Sequence, residues 1–544
     1  MVSRDIGDRV SRDRGDRRRN PGGPGPADRA RWYPRPVAPP ALAVADPATR
    51  GRALEVLLHP DLEPVVDLVC WTTAPDRYEV ASADGHLRFH RTASPAGRPP
   101  TFSVERLTGR DFLANQDPAW LGTLAEERRD PHPTRLGNAY PHAYEHMAQL
   151  FDHPSAPDLV VLHTGSHFWG EQGGHLGEHG SLGVLQARAP FIAAGAGVAK
   201  LGTVDDSCRL VDIAPTVLEL LGAPPVEGEA EGRRLLPQDG SIVRRVVERP
   251  GGATQVVAFL LDGTNPNVLY DLAGRGEAPN IARLMGDGTT FRHGAVASLP
   301  TVTLANHTSI ITGLHPGHHG VLHNAWVDRV TGRQVVTNSP TTWLGAMQWL
   351  APGTETVHHA VHRAFPGALS VSINEPCDTG ADFSVFELMR RGEEVDRPPQ
   401  ADDLPDATQR FVRPSKDYRW SSKIDHTGVD QFRGIWSGRY RGSEWPVPTF
   451  TWVNFTLTDA AFHEGGPYSE IAAASVRDTD ARIGRVLEAV EQRGVLDSTA
   501  FILVADHGMQ LADEAVTGDW DVALAEAGVA ARDEGYGFVY LTPA

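Results

Sequence analysis

The chain has 544 residues, 40% apolar and 22% charged, a globular composition long enough to bury a core in one large α/β domain or two ordinary ones. Its formal net charge of −18 excludes general attraction to nucleic-acid phosphates or anionic membranes, so an anionic substrate would need a local positive charge. Three widely spaced cysteines (Cys70, Cys208, Cys377), with no CxxC, exclude a disulfide scaffold and a thiolate zinc site.

Residues 1–40 alternate Arg with Asp and then turn to Pro and Gly, without an apolar h-region, and the segment to about residue 50 is read with them. They read as a disordered segment with no secretory signal, and no later run is long enough to span a membrane. The default location is therefore the cytoplasm. Two structured stretches follow, 51–240 and 253–544, joined by a charged linker punctuated by Gly and Pro over 241–252. In the first, PDLVVLHTG (157–165) and ARAPFIAAG (187–195) read as buried strands, and SCRLVDIAPTVLELLG (207–222) as a helix stopped by Gly222. Between the strands, GGHLGEHGS (173–181) sets two histidines and an acidic residue among glycines. It resembles a metal-ligand turn, yet no strand ending in Asp-Gly or Asp-His precedes it.

The second stretch opens with VVAFLLDG (256–263), a continuous apolar run typical of a buried parallel strand whose C-terminal end is functional. APNIARLMGDG follows as a helix with Pro279 in its first turn. TFTWVNFTLTDAAFH alternates like a strand and ends in polar residues, and SEIAAASVRDTDARIGRVLEAVEQRG is a long amphipathic helix stopped by Gly494. STAFILVADHG is a further buried strand, ending in Asp506-His507. Strands alternating with helices, with polar residues at strand C-termini, predict a doubly wound α/β sheet with its site along one edge. Residues 378–447, rich in Arg and aromatics and of little periodicity, read as an insertion or cap over that site, where specificity would lie.

Each chemistry-bearing residue has a plain reading and a functional one. Thr303 stands where extended SLPTVT gives way to the helix ANHTSIITGL, as a simple N-cap or as a nucleophile at the positive end of a helix dipole. Asp262 is a turn-former or a metal ligand. Asp506 and His507 are two adjacent ligand-type side chains after a buried strand. Asp459 and His463 are four apart, as a solvated pair or as ligands to one ion. As a set they are more specific: three strand ends deliver Asp, Asp/His and Asp/His beside a hydroxyl. Asp and His are the ligands zinc takes when thiolates are absent, and two zinc ions ~4 Å apart can clamp the attacking and leaving oxygens of an in-line phosphoryl displacement.

PTVTLANHTSIITGLHPGHHGVLHN strongly resembles the nucleophile segment of the type I phosphodiesterase/nucleotide pyrophosphatases of the alkaline phosphatase superfamily. VVAFLLDG, DAAFHEGGP and ADHGM resemble that family's ligand segments, in its usual order. The resemblance implies a three-layer alkaline-phosphatase-like sandwich and two zinc ions. It implies that Asp262, Thr303, Asp506 and His507 hold one zinc and that Asp459 and His463 hold the other. It implies that Asn324 donates a hydrogen bond to a phosphoryl oxygen. At His323 the family commonly has Asp.

The family pattern asks for a third ligand to the second zinc, a histidine downstream of DHG and before aPfi..G and vdiaPTvlellG segments. No histidine follows His507, whereas RAPFIAAG and VDIAPTVLELLG stand upstream, just after GGHLGEHGS. His179 therefore resembles the missing ligand, with His175 the second candidate. The simplest reading is a circular permutation, in which 253–544 is the N-terminal half of the core and 51–240 the C-terminal half moved to the front. Halves that complete their sites in a swapped dimer, or an inactive family member, are the other readings.

The expected function is hydrolysis of phosphate esters through a covalent phospho-threonine, as a phosphodiesterase or nucleotide pyrophosphatase acting on a small-molecule phosphate ester or nucleotide. A phosphonate hydrolase, a phosphomonoesterase and a non-catalytic metal-binding protein are the alternatives. No Cys/Ser-x-Pro-x-Arg segment supports a sulfatase.

Overall fold

Strand Gln255–Leu261 pairs in parallel with Phe450–Phe455 on one side and Thr499–Val504 on the other. Every second side chain of a strand faces the same way. Val256, Ala258 and Leu260 accordingly enter one buried cluster, and Val257, Phe259 and Leu261 the opposite one. Helices Ile213–Leu221 and Thr303–Thr312 cover the first face; Pro266–Gly274, Pro279–Asp287, Lys416–Trp436 and Glu470–Gln492 cover the second. The result is an α/β sandwich of three layers, as the strand-helix alternation predicts. The computed structural model describes residues 42–94, 99–170, 174–228, 232–396 and 415–542.

Among the described residues, this main sheet has nine strands and is mixed. Strands Ser370–Ile373, Phe450–Phe455, Gln255–Leu261 and Thr499–Val504 run parallel, so their C-terminal ends share one edge. Strand Arg188–Gly195 lies beside Thr499–Val504 but antiparallel to it. An antiparallel strand delivers to that edge the residues that precede it, and this brings the 177–187 segment there. Gln510–Leu511 pairs with Gly177–Glu178, and the Gly508 N–H donates to the Gln186 carbonyl at 2.8 Å, which clips the two segments together.

A second sheet of seven strands, antiparallel throughout, was not anticipated from the sequence. Strands Val66–Ala74, Arg77–Ser82, Gly85–Thr92 and Thr101–Gly109 form a meander, flanked by Leu159–His163, then Phe538–Leu541 and, outermost, Ala531–Glu534. Both stretches of the chain contribute strands to both sheets. Residues 1–41 of the segment read as disordered lie outside the described residues. Residues 42–50 belong to the fold: the Leu42 N–H donates to the Arg329 carbonyl at 2.9 Å, and Asp46 caps helix Pro47–Leu57.

Within 378–447, residues 397–414 lie outside the described residues. Lys416–Trp436 is a helix of 21 residues whose Val429, Phe432, Ile435 and Trp436 are buried in the second core cluster. Its buried Asp425 accepts the backbone N–H groups of Thr456 (2.9 Å) and Leu457 (3.1 Å). Those are the unpaired donors at the start of helix Leu457–Gly465, so Asp425 holds the entry to that helix. No helix among the described residues is long and apolar enough to cross a membrane.

Candidate metal and phosphoester site

Asp262 follows its strand directly. Gly263 then takes a left-handed φ of 62°, and a Cβ there would lie 2.5 Å from Asp459 Oδ1, so the Asp-Gly pair needs glycine on both counts. The Gly263 N–H donates to Asp506 Oδ1 at 3.0 Å, tying two strand ends together. The sequence places Asp459 and His463 at the end of an extended segment. The strand stops at Phe455, and both residues lie on helix Leu457–Gly465, where a four-residue spacing stacks them on one face. His463 Nε2 is 3.3 Å from Asp459 Oδ1. The Thr458 hydroxyl donates to the Asp262 carbonyl, at 2.6 Å, and docks this helix on the first strand end.

His179 reaches the same place from the front of the chain. Its Nε2 lies 3.1 Å from His463 Nε2 and 4.0 Å from Asp459 Oδ1, and its ring stacks on His507 with centroids 3.7 Å apart. His175 is half-exposed and pairs with Glu178 (4.0 Å) beside His463, in a separate cluster. Of the two histidines in GGHLGEHGS, His179 is thus the one grouped with Asp459 and His463.

Three histidines are pinned alike. The Nδ1–H of His179 donates to the Thr301 carbonyl (2.8 Å), that of His463 to Gly177 (2.7 Å) and that of His507 to Gly508 (2.9 Å). A neutral imidazole that donates through Nδ1 presents a bare lone pair at Nε2, the form that ligates metal. Burial, with His507 and His463 beside it, drives His179 well below the ordinary histidine range, so its ring is neutral. The bare Nε2 of His179 lies 3.1 Å from His463 Nε2, a contact that a cation or a proton against both nitrogens satisfies. Asp262 Oδ1, Asp459 Oδ1, Asp506 Oδ2 and His507 Nε2 are buried with no partner in hydrogen-bond geometry, although Asp506 Oδ2 faces His507 Nε2 at 3.1 Å and its charge raises the pKa of that imidazole against the effect of burial. Burial and the Asp506 and Asp459 charges push the Asp262 carboxyl well above its usual range. Such a concentration of acceptors and negative charge fits divalent cations, and the absence of thiolate suits an N/O-liganded metal. Side chains of two further groups meet at ligand distance: Asp262, Asp459 and His507, and Asp262, His307 and Asp506.

His307 and Glu375 were not singled out from the sequence. His307 Nε2 lies 3.3 Å from Asp506 Oδ2 and 3.7 Å from Asp262 Oδ2, while its Nδ1 meets Glu375 Oε2 at 2.9 Å. Burial opposes a charge on this ring, but Glu375 and Asp506 outweigh it and hold the imidazole protonated. Signals for both exist in the sequence. His307 is one helical turn after Thr303, and Glu375 follows strand Ser370–Ile373 at the same sheet edge. Glu127 comes from the first stretch; buried, it accepts from Asn265, the N-cap of helix Pro266–Gly274, and from Asn267 in that helix's first turn.

Thr303 is the first residue of helix Thr303–Thr312, whose N-cap is Val302. The simple N-cap reading is thereby corrected: an N-cap side chain bonds back to the second or third helical N–H, and Thr303 stands one place too late. Its hydroxyl lies at the positive end of the helix, two residues after the carbonyl that orients His179. Asn324 is adjacent: its Oδ1 accepts the Leu304 N–H at 3.4 Å, which leaves the side-chain NH2 as donor.

Residues 256–544 match the family described as type I phosphodiesterase / nucleotide pyrophosphatase. The chain is 27% identical over 261 residues to an uncharacterized pyrophosphatase/phosphodiesterase of Schizosaccharomyces pombe, covering 47% of this chain and 44% of that protein. It is 24% identical over 259 residues to mouse ectonucleotide pyrophosphatase/phosphodiesterase family member 3, covering 47% of this chain and 25% of that protein. A solved structure of an inactive murine ectonucleotide pyrophosphatase/phosphodiesterase 5 with AMP aligns at a TM-score of 0.31 and 15% identity, over 47% of this chain and 57% of that one. The chain thus spans less than half the length of these two sequence relatives. The match of more than half the chain to one family is decisive: the chain belongs to the type I phosphodiesterase/nucleotide pyrophosphatase family.

Proposed function

We propose that the protein hydrolyses phosphodiester or pyrophosphate bonds of a small-molecule ester or nucleotide, with Thr303 as nucleophile and two zinc ions as cofactors. The observation that carries this is the set of pinned histidines and unpartnered carboxylate oxygens around one sheet edge, which touches the Thr301 carbonyl before helix Thr303–Thr312 and His307 on it. In this reading Asp262, Asp506, His507 and Thr303 hold one ion, and Asp459, His463 and His179 the other. When bound, the ions stabilise negative charge on the attacking and leaving oxygens of an in-line displacement.

The chain's own residues do the rest. Thr303 Oγ1 forms a bond to phosphorus as the bond to the leaving oxygen breaks, and the departing alcohol or phosphate takes up a proton. Water then attacks the phospho-threonine from the opposite side, the P–Oγ1 bond breaks, and the proton returns to Thr303. The Asn324 side-chain NH2 donates to a phosphoryl oxygen whose charge grows in the transition state. The helix N-terminus favours the same charge.

The order of the two stretches belongs to the proposal: 253–544 and 51–240 are the halves of the family core in exchanged order, joined through 241–252. Support comes from Asp158, whose Oδ1 accepts the Ala45 N–H and whose Oδ2 accepts the Leu541 N–H, each at 2.9 Å. The two ends of the described chain thus meet on one carboxylate.

Bis-p-nitrophenyl phosphate tests the function. Hydrolysis that a chelator abolishes, that zinc restores, and that Thr303→Ala lowers by roughly 10³-fold or more is the expected result. Chelator-insensitive hydrolysis or a fully active Thr303→Ala overturns it. A preference for p-nitrophenyl phosphate would shift the assignment to a monoesterase, and metal binding without turnover to a binding protein.

A further inference from the structure

A cavity of about 390 Å³ lies past the C-terminal end of helix Thr303–Thr312, within the roughly 300–1,000 Å³ usual for small-molecule sites. The Asp239 and Gly240 N–H groups in its wall donate to the Gly313 carbonyl at 2.9 and 3.0 Å, just after the last helical residue. Thr303 is at the other end of the helix, about 15 Å away along ten residues.

The buried end of the cavity is acidic. Arg209 holds Glu145 and Asp212 (2.8 and 2.9 Å), and His318 holds Asp239 and Asp152 (2.6 and 2.9 Å). Arg91 holds Asp152 and Asp76 (2.6 and 2.7 Å). Each cation faces two carboxylates, so negative charge is in excess there. Burial opposes the charges on Glu145 and Asp239. His315 and Arg209 nevertheless hold Glu145 well below the ordinary carboxylate range, and His318 draws Asp239 down to about 2. Among the described residues the hydrogen bond to Glu145 falls on Oε1 and those to Asp239 fall on Oδ2, which leaves one oxygen of each for a ligand. His315 lines the same end and is 2% exposed. Its Nε2 is buried outside any hydrogen bond, 3.5 Å from Glu145 Oε1. A buried polar atom left in this way calls for a partner.

The exposed end reverses the balance. Glu219 faces two arginines, Arg234 and Arg244, the latter at 2.8 Å. Arg244 uses only Nη1 for Glu219, and its Nε and Nη2 form the fork that grips a carboxylate. Phe102 and Ile242 add apolar surface to the wall.

We propose that this cavity binds a small zwitterion, an amino acid with an apolar side chain, its ammonium at Glu145, Asp239 and His315 and its carboxylate at Arg244. The ammonium answers the surplus of carboxylates and the acid group answers the surplus of arginine. A simple anion or a simple cation leaves one end of the cavity unmatched. The inference stands apart from the phosphoester reading above.

The test titrates the metal-loaded full chain calorimetrically with L-leucine, with isopentylamine, which lacks the acid group, and with 4-methylpentanoate, which lacks the ammonium. L-Leucine binds about tenfold or more tighter than either. Arg244→Ala, at an exposed side chain, lowers L-leucine to the level of isopentylamine. Glu145→Gln lowers it to the level of 4-methylpentanoate, and both variants keep the far-UV spectrum of the parent. Amino acids also chelate metal ions, but Arg244 belongs to none of the metal-ligating groups, so undiminished binding of L-leucine by Arg244→Ala overturns the site. Equal binding of the three ligands, or no binding of L-leucine, overturns it as well.

Discussion

His179 Nε2 and His463 Nε2 face each other at 3.1 Å across 284 residues of chain. Both rings donate through Nδ1 to backbone carbonyls, so two neutral rings would have no proton on Nε2 to share between them. Their approach makes sense around a shared cation. His179→Ala should therefore remove about one equivalent of bound metal and lower kcat/KM by roughly 10²-fold or more, with the fold retained. His175→Ala should keep both metal and rate near the parent values. Metal analysis of the two purified variants decides between the histidines; full zinc content in His179→Ala would refute its ligand role.

Glu375 reaches the same site only through His307. Its Oε2 holds His307 Nδ1 at 2.9 Å, and His307 Nε2 then faces Asp506 Oδ2 and Asp262 Oδ2. Glu375→Gln keeps the volume and removes the charge. Outer partners of this kind typically change metal affinity by about 10- to 100-fold. We expect a loss in that range in a competition titration against a chromogenic chelator, with an unchanged far-UV spectrum. Wild-type affinity would make Glu375 a purely structural acid.

The shared hold of Asp158 on Ala45 and Leu541 makes the chain order testable. A rearranged chain running 253–544 and then 45–240, through a short flexible joint, should fold and hydrolyse the same ester within about tenfold of the parent rate. Only the connection changes, and both sheets keep their strands. Insoluble or metal-free product from this rearrangement would count against the exchanged-halves reading.

His318 gives a pH signature away from the metal site. Burial works against its charge, but Asp239 Oδ2 at 2.6 Å and Asp152 Oδ2 at 2.9 Å raise it to about 10. A folded-state pKa above the unfolded value of about 6.5 stabilises the fold fully below that pH, and the contribution fades as pH rises toward 10. Partial exposure screens the pair, so we expect roughly 2 kcal/mol over that window. Urea melts at pH 6 and pH 9.5 should show this drop in the parent protein and a flatter profile in His318→Gln.

Much of the site was legible because buried parallel strands announce themselves. VVAFLLDG and STAFILVADHG are continuous apolar runs, and an acid just past such a run lies at the sheet edge whatever the rest of the fold does. The same logic would have found Glu375 after Ser370–Ile373, had that four-residue strand been long enough to stand out. The helix Lys416–Trp436 escaped notice because its buried Val429, Phe432, Ile435 and Trp436 occupy only the second half, behind a first half rich in charge.

What the sequence by itself determined is local: the strands, the helix beginning at Thr303, and the residue types able to hold a cation. It also set the order of the motifs, which first pointed to GGHLGEHGS as a displaced ligand segment. Only the tertiary structure decided which side chains converge. Arg188–Gly195 runs antiparallel to its neighbour, and strand direction, which no local pattern encodes, carries His179 to the edge where Asp459 and His463 stand. The antiparallel second sheet is of the same kind: its pairing joins strands from 66–163 with strands from 531–541, a contact set by global packing rather than by any periodicity of the chain.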